Sequence, residues 1–579
     1  MLARVIVDVP VWSLNRELTY EIPDRLEGLV NIGSIVRVPL RNRRVRGWVV
    51  GLQDGEQPHP PDPISEARGG AGGGRSGTPA GLQPIMRVSG PHPIFDETLL
   101  GVATQLSRRY VHPLSSFLSL FTPPRMGWRS TASDAPRDLA RYEQEQAPES
   151  RERYILVRLG AREDPGERYA AEIQRQLSAG NGVIVVVPEV REGSRILGAL
   201  ASRFSADAAV VHSGLEPAKR SGALWSVAAG RRRLVLGGRA AVFAPPLRLG
   251  SIIVHQEHDP SLKEQRAPYY DGRVVAAFRA AAFHASVILA SKTPSFEALS
   301  LGGGMRGIEE PQRRSERASW PMVELVEPAR RGLPERVVGC LVQSNKRGER
   351  VLICLPRVHA TPSGPGPSEV EAFVSRVLPR AVVGRADRPH LGLQPGALRR
   401  ALEADVVIAT EAALADVERP PIAAAVALGI DALLHRPSGK AAEDALHLLW
   451  DMATLVAGRT PRGRLLIETR SSDHHVIQAV VRGDYRYFAS RELLLREDAG
   501  VPPSKTLIRI QSPRPPSEKL LAALASLPGT TVLGPSAGGT VGWQMLLKVE
   551  ELQAMLDPLN EIAATSDEAL LVEMDPRDW

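Results

Sequence analysis

Four consecutive side chains after an apolar run, His255, Gln256, Glu257 and His258, gather two imidazoles and a carboxylate at the end of a strand. Imidazole and carboxylate together suit zinc. Adjacent positions at a strand end rarely converge on one ion, so ordinary loop hydrogen bonding is the plainer reading. A second stretch is basic: Arg41, Arg43, Arg44 and Arg46 precede Trp48 in RNRRVRGW. Guanidinium forks grip phosphate and an indole can stack on a base. The competing reading is a solvated hairpin charge cluster that blunts aggregation. Cys340 and Cys354 stand apart with no CxxC. That excludes a four-cysteine zinc site, and both read as small buried hydrophobes.

The elements that must position these residues follow from periodicity. Short runs of alternating apolar and polar residues (ARVIVDVPV, LTYEI, SIVRVPL, VRGWVVGL) predict a small all-β module over 1–125, interrupted by a Pro/Gly-rich flexible insertion at 54–81. A polar linker occupies 126–152. From Tyr154, strand runs such as YILVRLG, GVIVVVPE and SIIVHQE alternate with helical segments, which implies a parallel sheet with helices on both faces. The series fills a first lobe, 153–333, and a second, 334–472; residues 473–579 read as a small α+β domain.

Two α/β lobes in series suggest a nucleotide-driven motor fold. Such a fold needs glycines, a lysine and a Ser/Thr on the first strand–helix turn to hold triphosphate and magnesium. Here the turn reads AREDPGERY, with Pro165 and Gly166 where lysine and threonine are needed. Glu163 and Asp164 would repel a triphosphate.

Composition sets outer limits. The 579 residues carry a net charge of +7, which permits nucleic-acid binding without requiring it. Only eight of the cations are lysines, the arginine bias of a GC-rich genome. Arg231–Arg233 read as a solvated turn. No apolar run is long enough to span a membrane, and the start lacks a secretory signal. The expected location is therefore cytoplasmic, with no membrane partner.

Several segments, in order, resemble the PriA (primosomal protein N-prime) family of replication-restart helicases. RVIVDVPVWSLNRELTYEIPDRLEGLVNIGSIVRVPLRNRRVRGWVVG is similar to that family's domain for the 3′ end of a nascent strand, and RYVHPLSSFLSLFTPP to the helical segment that closes it. VVVPEV, VVHSGLEPAKR, GGRAAVF, HQEHDPSLKEQRAPYYDGRVVAAFRA and ASKTPSFEAL resemble first-lobe motifs; TLVAGRTPRG resembles the arginine-finger segment, and VLGP and WQMLLKV the C-terminal domain. The resemblance implies a multidomain protein: an N-terminal all-β DNA-binding module, two RecA-like lobes and an α+β C-terminal domain.

The departures carry as much meaning. The family's acidic motif opens Asp-Glu-Glu-His; His255 and Gln256 stand at its first two positions, where histidine cannot replace a carboxylate on magnesium and glutamine cannot take a proton from water. The degenerate nucleotide site then comprises Pro165, Gly166, His255, Gln256 and Glu257, with Arg459 and Arg462 surviving from the finger segment. The zinc-binding insertion is replaced by HATPSGPGPS, and 128–150 is too short for the usual winged helix. In the terminus pocket, Leu18, Thr19 and Tyr20 replace Phe-Asp-Tyr, and Arg41 and Gln83 replace a glycine and a lysine.

The resemblance thus implies a replication-restart protein. It would bind forked or single-stranded DNA through Tyr20, Arg41, Arg43, Arg44, Arg46 and Trp48, and would scaffold reloading of the replicative helicase with primosome proteins or a loader. No helicase activity, zinc or ATP/Mg cofactor is expected. The alternatives are an active ATP-dependent 3′–5′ helicase and a protein scaffold without DNA affinity.

Overall fold

The computed structural model describes residues 1–53, 82–90, 92–123, 154–188, 194–301, 304–356, 365–387, 396–410, 414, 420–458, 463–538 and 542–578. The expected insertion at 54–81 and the linker at 126–152 lie outside the described residues.

The N-terminal module is an antiparallel sheet of β1 (Leu2–Val7), β2 (Leu18–Glu21), β3 (Ile35–Leu40), β4 (Arg43–Gln53) and β5 (Arg87–Ser89), in the order β2-β1-β4-β3-β5. Alternation gives each strand two faces. Val5, Val7, Val36, Val38 and Val49 fill one side, while Ile6, Ile35, Trp48 and Val50 meet two helices on the other. The first of these, α1 (Glu97–Tyr110), starts where Asp96 accepts from the Leu99 N–H at 2.7 Å. Leu99, Val102, Ala103, Leu106 and Tyr110 then repeat at helical spacing and are buried. The second, α2 (Leu114–Phe121), closes the module.

The first lobe is a parallel seven-stranded sheet of β6 (Tyr154–Arg158), β7 (Gly182–Val186), β8 (Ala208–Val211), β9 (Leu234–Gly237), β10 (Leu249–His255), β11 (Ser286–Ser291) and β12 (Ile308–Glu309), ordered β12-β6-β11-β10-β7-β9-β8. The second is a parallel six-stranded sheet of β13 (Met322–Val326), β14 (Arg350–Cys354), β15 (Val383–Ala386), β16 (Val406–Ala409), β17 (Ile422–Ala427) and β18 (Arg464–Glu468), ordered β13-β18-β17-β14-β16-β15. These are two parallel α/β lobes, as the strand–helix alternation implies. The lobe boundary moves, however. Residues 322–326 were assigned to the first lobe, yet they pair in parallel with β18 of the second. A strand's sheet is decided by its partner, and that partner lies about 140 residues downstream.

The C-terminal sheet holds β19 (Thr506–Ser512), β20 (Thr530–Ala537), β21 (Trp543–Val549) and β22 (Leu571–Met574), ordered β20-β21-β19-β22 and antiparallel throughout. Of the helices expected in this domain, His475–Arg482 instead packs on the second-lobe helix Ala441–Val456, and Tyr485–Ala499 packs on His475–Arg482 and reaches Glu443 through Arg496. Their buried apolar residues (Val476, Ile477, Val480, Tyr485, Phe488) belong to the same core as that helix's Leu446, Leu449 and Trp450. Among the described residues no helix is long and apolar enough to cross a membrane.

Candidate nucleic-acid interface and nucleotide cleft

The basic run sits on a two-residue turn. β3 and β4 pair with Leu40 opposite Arg43 and Arg37 opposite Arg46, so Arg41 and Asn42 form the tip. Arg41 has a left-handed backbone (φ 50°). Arg41, Arg43 and Arg44 project into solvent. The other three residues predicted to contact DNA do not. Trp48 is 0% exposed, and its indole N–H donates to Thr122 Oγ1 at 2.8 Å. Tyr20 is 5% exposed and its hydroxyl donates to the Pro39 carbonyl at 2.9 Å. Arg46 is ion-paired to Asp8 at 2.9 Å and lies over the Trp48 ring at 5.2 Å. Base stacking by Trp48 is thereby corrected: its face is spent on the helices α1 and α2, which sequence alternation could not show covering that side of the sheet.

The structure adds two arginines. Arg37 stands opposite Arg46 on β4 and opposite Arg87 on β5, giving a row of arginines across three strands. Arg44, two residues from Arg46, shares the face. Arg37 was legible in the alternation of IVRVPL; Arg87 joins only through a pairing across the 54–81 segment. Of the terminus-pocket positions, Gln83 is exposed and gives its backbone carbonyl to the Glu21 N–H at 3.1 Å.

In the first lobe, the turn between β6 and the helix α3 (Pro165–Ser178) is where a motor would hold phosphates. Two of its backbone donors are already taken. Glu163 Oε2 accepts from the Gly160 N–H at 3.0 Å, and Asp164 Oδ1 caps α3 by accepting from the Gly166 N–H at 2.9 Å. Pro165 occupies the first helical position and has no N–H to offer. Arg168 pairs with Glu163 at 2.8 Å, holding that carboxylate in place. Arg162 reaches across to the second lobe. A Cβ on Gly458 would sit 2.4 Å from its Cδ, so a side chain there would push Arg162 aside. Arg459 and Arg462 lie outside the described residues.

At the end of β10, His255 is buried with Nδ1 2.9 Å from the Tyr169 hydroxyl. Burial pushes its pKa down to about 3, with Lys292 and His258 adding to the effect, so the ring is neutral at physiological pH. Gln256 turns the chain with φ 47°. Glu257 is 0% exposed and accepts from the Ser295 N–H (2.8 Å) and hydroxyl (2.7 Å). Burial raises its carboxyl above the usual range, opposed by Arg273 3.4 Å away. His258 Nδ1 contacts Ser291 Oγ at 2.6 Å. The residues 255–258 thus point to separate partners, and among the described residues no His/Cys/Asp/Glu group is arranged to hold a metal.

Segment 291–299, within the stretch ASKTPSFEAL, is bonded into the second lobe. Lys292 Nζ donates to Thr454 Oγ1 (2.8 Å), and Thr293 Oγ1 meets His447 Nδ1 (2.7 Å). The Phe296 N–H donates to Glu443 (3.2 Å), and the Tyr485 hydroxyl to the Pro294 carbonyl (2.6 Å). Lys440 bridges Glu297 and Glu443, the latter at 2.7 Å. Burial works to raise the Glu297 carboxyl, but Lys440 and Arg273 outweigh it and hold it well below the usual range. Beside this seam a cavity of about 190 Å³ opens where α1, both lobes and the C-terminal sheet meet. Its cations are already matched: Arg109 by Asp575 (3.0 Å), Lys263 by Glu573 (3.3 Å), Arg577 by Asp444 (2.9 Å). It is a charged joint between domains.

Comparison with known proteins agrees with this architecture. Residues 4–123 match the family described as the 3′DNA-binding domain (3′BD) of PriA. The replication restart protein PriA of Treponema pallidum is 26% identical over 94% of both chains. The probable replication restart protein PriA of Mycobacterium bovis is 27% identical over 89% of this chain and 87% of the relative. For the PriA of Bacillus subtilis the figures are 27%, 64% and 56%, so that match spans little more than half of the relative. A structure of RecG bound to a three-way DNA junction is similar with a TM-score of 0.38 and 15% identity, over 64% of this chain and 47% of that one. The N-terminal module thus matches the PriA 3′DNA-binding domain, and the chain is similar along nearly its whole length to PriA replication restart proteins.

Proposed function

We propose that the protein binds forked or single-stranded DNA through the arginine face of its N-terminal module and scaffolds reloading of the replicative helicase without hydrolysing ATP. One observation carries the reading: the turn that would cradle phosphates is filled by the chain's own carboxylates, Glu163 on the Gly160 N–H and Asp164 on the Gly166 N–H. A triphosphate would have to displace both and then face their charge. The positions that would hold magnesium and activate water are a neutral buried His255 and Gln256. The remaining carboxylate, Glu257, is sealed beneath Ser295. Each loss removes transition-state stabilisation that the others do not replace.

On the DNA side, the exposed Arg41, Arg43 and Arg44, extended by Arg37 and Arg87, offer phosphate contacts that do not read the chemistry of a strand end. Neither Tyr20 nor Trp48 has a free ring face to capture a terminal nucleotide. Binding is therefore salt-dependent and indifferent to a 3′ hydroxyl.

The test pairs two measurements on the full chain. ATPase activity stays at background with and without fork DNA, and fork affinity falls steeply with salt. Replacing Arg41, Arg43 and Arg44 by alanine flattens the log–log salt slope by up to about three contacts, roughly 0.9 each. DNA-stimulated hydrolysis that disappears in Glu257→Gln would sink the non-catalytic reading. A tenfold preference for a 3′ hydroxyl over a 3′ phosphate would sink the phosphate-only mode.

A further inference from the structure

The helix Tyr485–Ala499 is packed inside out. Its buried side carries Glu492 and Arg496 beside Tyr485 and Phe488. The Arg496 guanidinium is held between Glu492 (2.8 Å) and Glu443 (3.0 Å). Its outer side presents Leu494 and Leu495, 60% and 56% exposed. Helical spacing puts Tyr487, Arg491, Leu494 and Asp498 in one outward stripe, with Leu495 beside it. Arg491 and Asp498 are ion-paired to nothing among the described residues. Tyr487 lies between Arg482 (4.5 Å) and Arg491 (5.7 Å), which steadies the basic end of the stripe.

The order of these residues selects a partner. Arg491, Leu494, Leu495 and Asp498 are arranged symmetrically in position and oppositely in charge about the 494–495 peptide bond. Two copies of the helix laid antiparallel therefore put leucine on leucine at the centre and Arg491 opposite Asp498 at both ends. A parallel pairing would set arginine on arginine. Self-complementarity of this kind is what a twofold interface between identical chains requires.

We infer that the protein self-associates as a twofold dimer through the outer face of this helix, the occupant of each leucine patch being a second copy of the chain. One helix per copy buries less than the roughly 1,200–2,000 Å² of stable interfaces, so the dimer is reversible, with a dissociation constant in the micromolar range.

Sedimentation velocity of the full chain over a micromolar concentration series tests this. Mass doubles with concentration in the wild type. Leu494→Asp combined with Leu495→Asp abolishes the dimer while leaving far-UV circular dichroism unchanged, because both side chains lie outside the core. Arg491→Asp and Asp498→Arg, each alone, weaken association by roughly tenfold or more, since both ends then carry like charges. An equimolar mixture of these two single variants recovers wild-type affinity, because each end of the mixed dimer again pairs unlike charges. A chain that stays monomeric throughout, including because the patch receives a different protein, overturns the proposal. So does association that ignores the leucine changes, or single variants that fail to recover on mixing.

Discussion

Replacing Trp48 by leucine separates two roles for the indole. It lies at the middle of β4, between Ile6 of β1 and Ile35 of β3, with its ring against the core of α1 and α2. A fully buried tryptophan contributes on the order of 150–250 Å² of apolar contact. Leucine fills only part of that space, which costs about 3 kcal/mol. The lost N–H bond to Thr122 adds only about 0.5–1.5 kcal/mol. Thr122 is not stranded, since its hydroxyl still donates to the Leu118 carbonyl at 2.6 Å. Hydrogen exchange reads this directly: amides of β1, β3 and β4 should exchange roughly 100-fold faster or more, while both lobes keep wild-type protection. In parallel, single-stranded DNA affinity, measured at a temperature where the module stays folded, should remain within about twofold of wild type. If the indole stacked on a base, affinity would fall by about 1–3 kcal/mol. Unchanged protection together with a tenfold loss of single-strand affinity would refute the assignment of Trp48 to the core.

Arg496→Leu strands two buried carboxylates, Glu443 and Glu492, and should destabilise the seam between the second lobe and the C-terminal helices by about 3–5 kcal/mol, read as a lowered calorimetric transition. His255 is held near pKa 3 when folded against an ordinary 6.5, so the unfolded chain takes up a proton that the folded chain refuses. Its share of stability is complete above pH 6.5 and is lost as pH falls from there towards 3. By pH 5 the loss is about 2 kcal/mol, and His255→Gln should flatten this limb of a urea-midpoint-against-pH curve. Asp164→Ala removes the cap of α3 and should cost about 0.5–2 kcal/mol in urea unfolding followed by circular dichroism, with no gain of nucleotide binding, because Glu163 and Pro165 remain.

Much of this protein was legible in its residues. Strand–helix alternation after Tyr154 specifies two parallel α/β lobes, because strands buried on both faces must be apolar runs joined by crossover helices. The missing lysine and Ser/Thr between β6 and α3, and His255 and Gln256 after β10, are matters of chemical type, readable without coordinates. Membership of β13 in the second sheet was not readable, since a parallel strand's neighbour depends on long-range pairing. Nor was the division of the Arg41–Trp48 run. Alternation put Arg44, Arg46 and Trp48 on one face, but only the docking of α1 and α2 covers Trp48, while Asp8 claims Arg46 and leaves Arg41, Arg43 and Arg44 in solvent. Tyr20 and Pro39 likewise meet only through the folded sheet. Side-chain chemistry is local and belongs to the sequence; which of those side chains keeps a free face is settled by what packs over it.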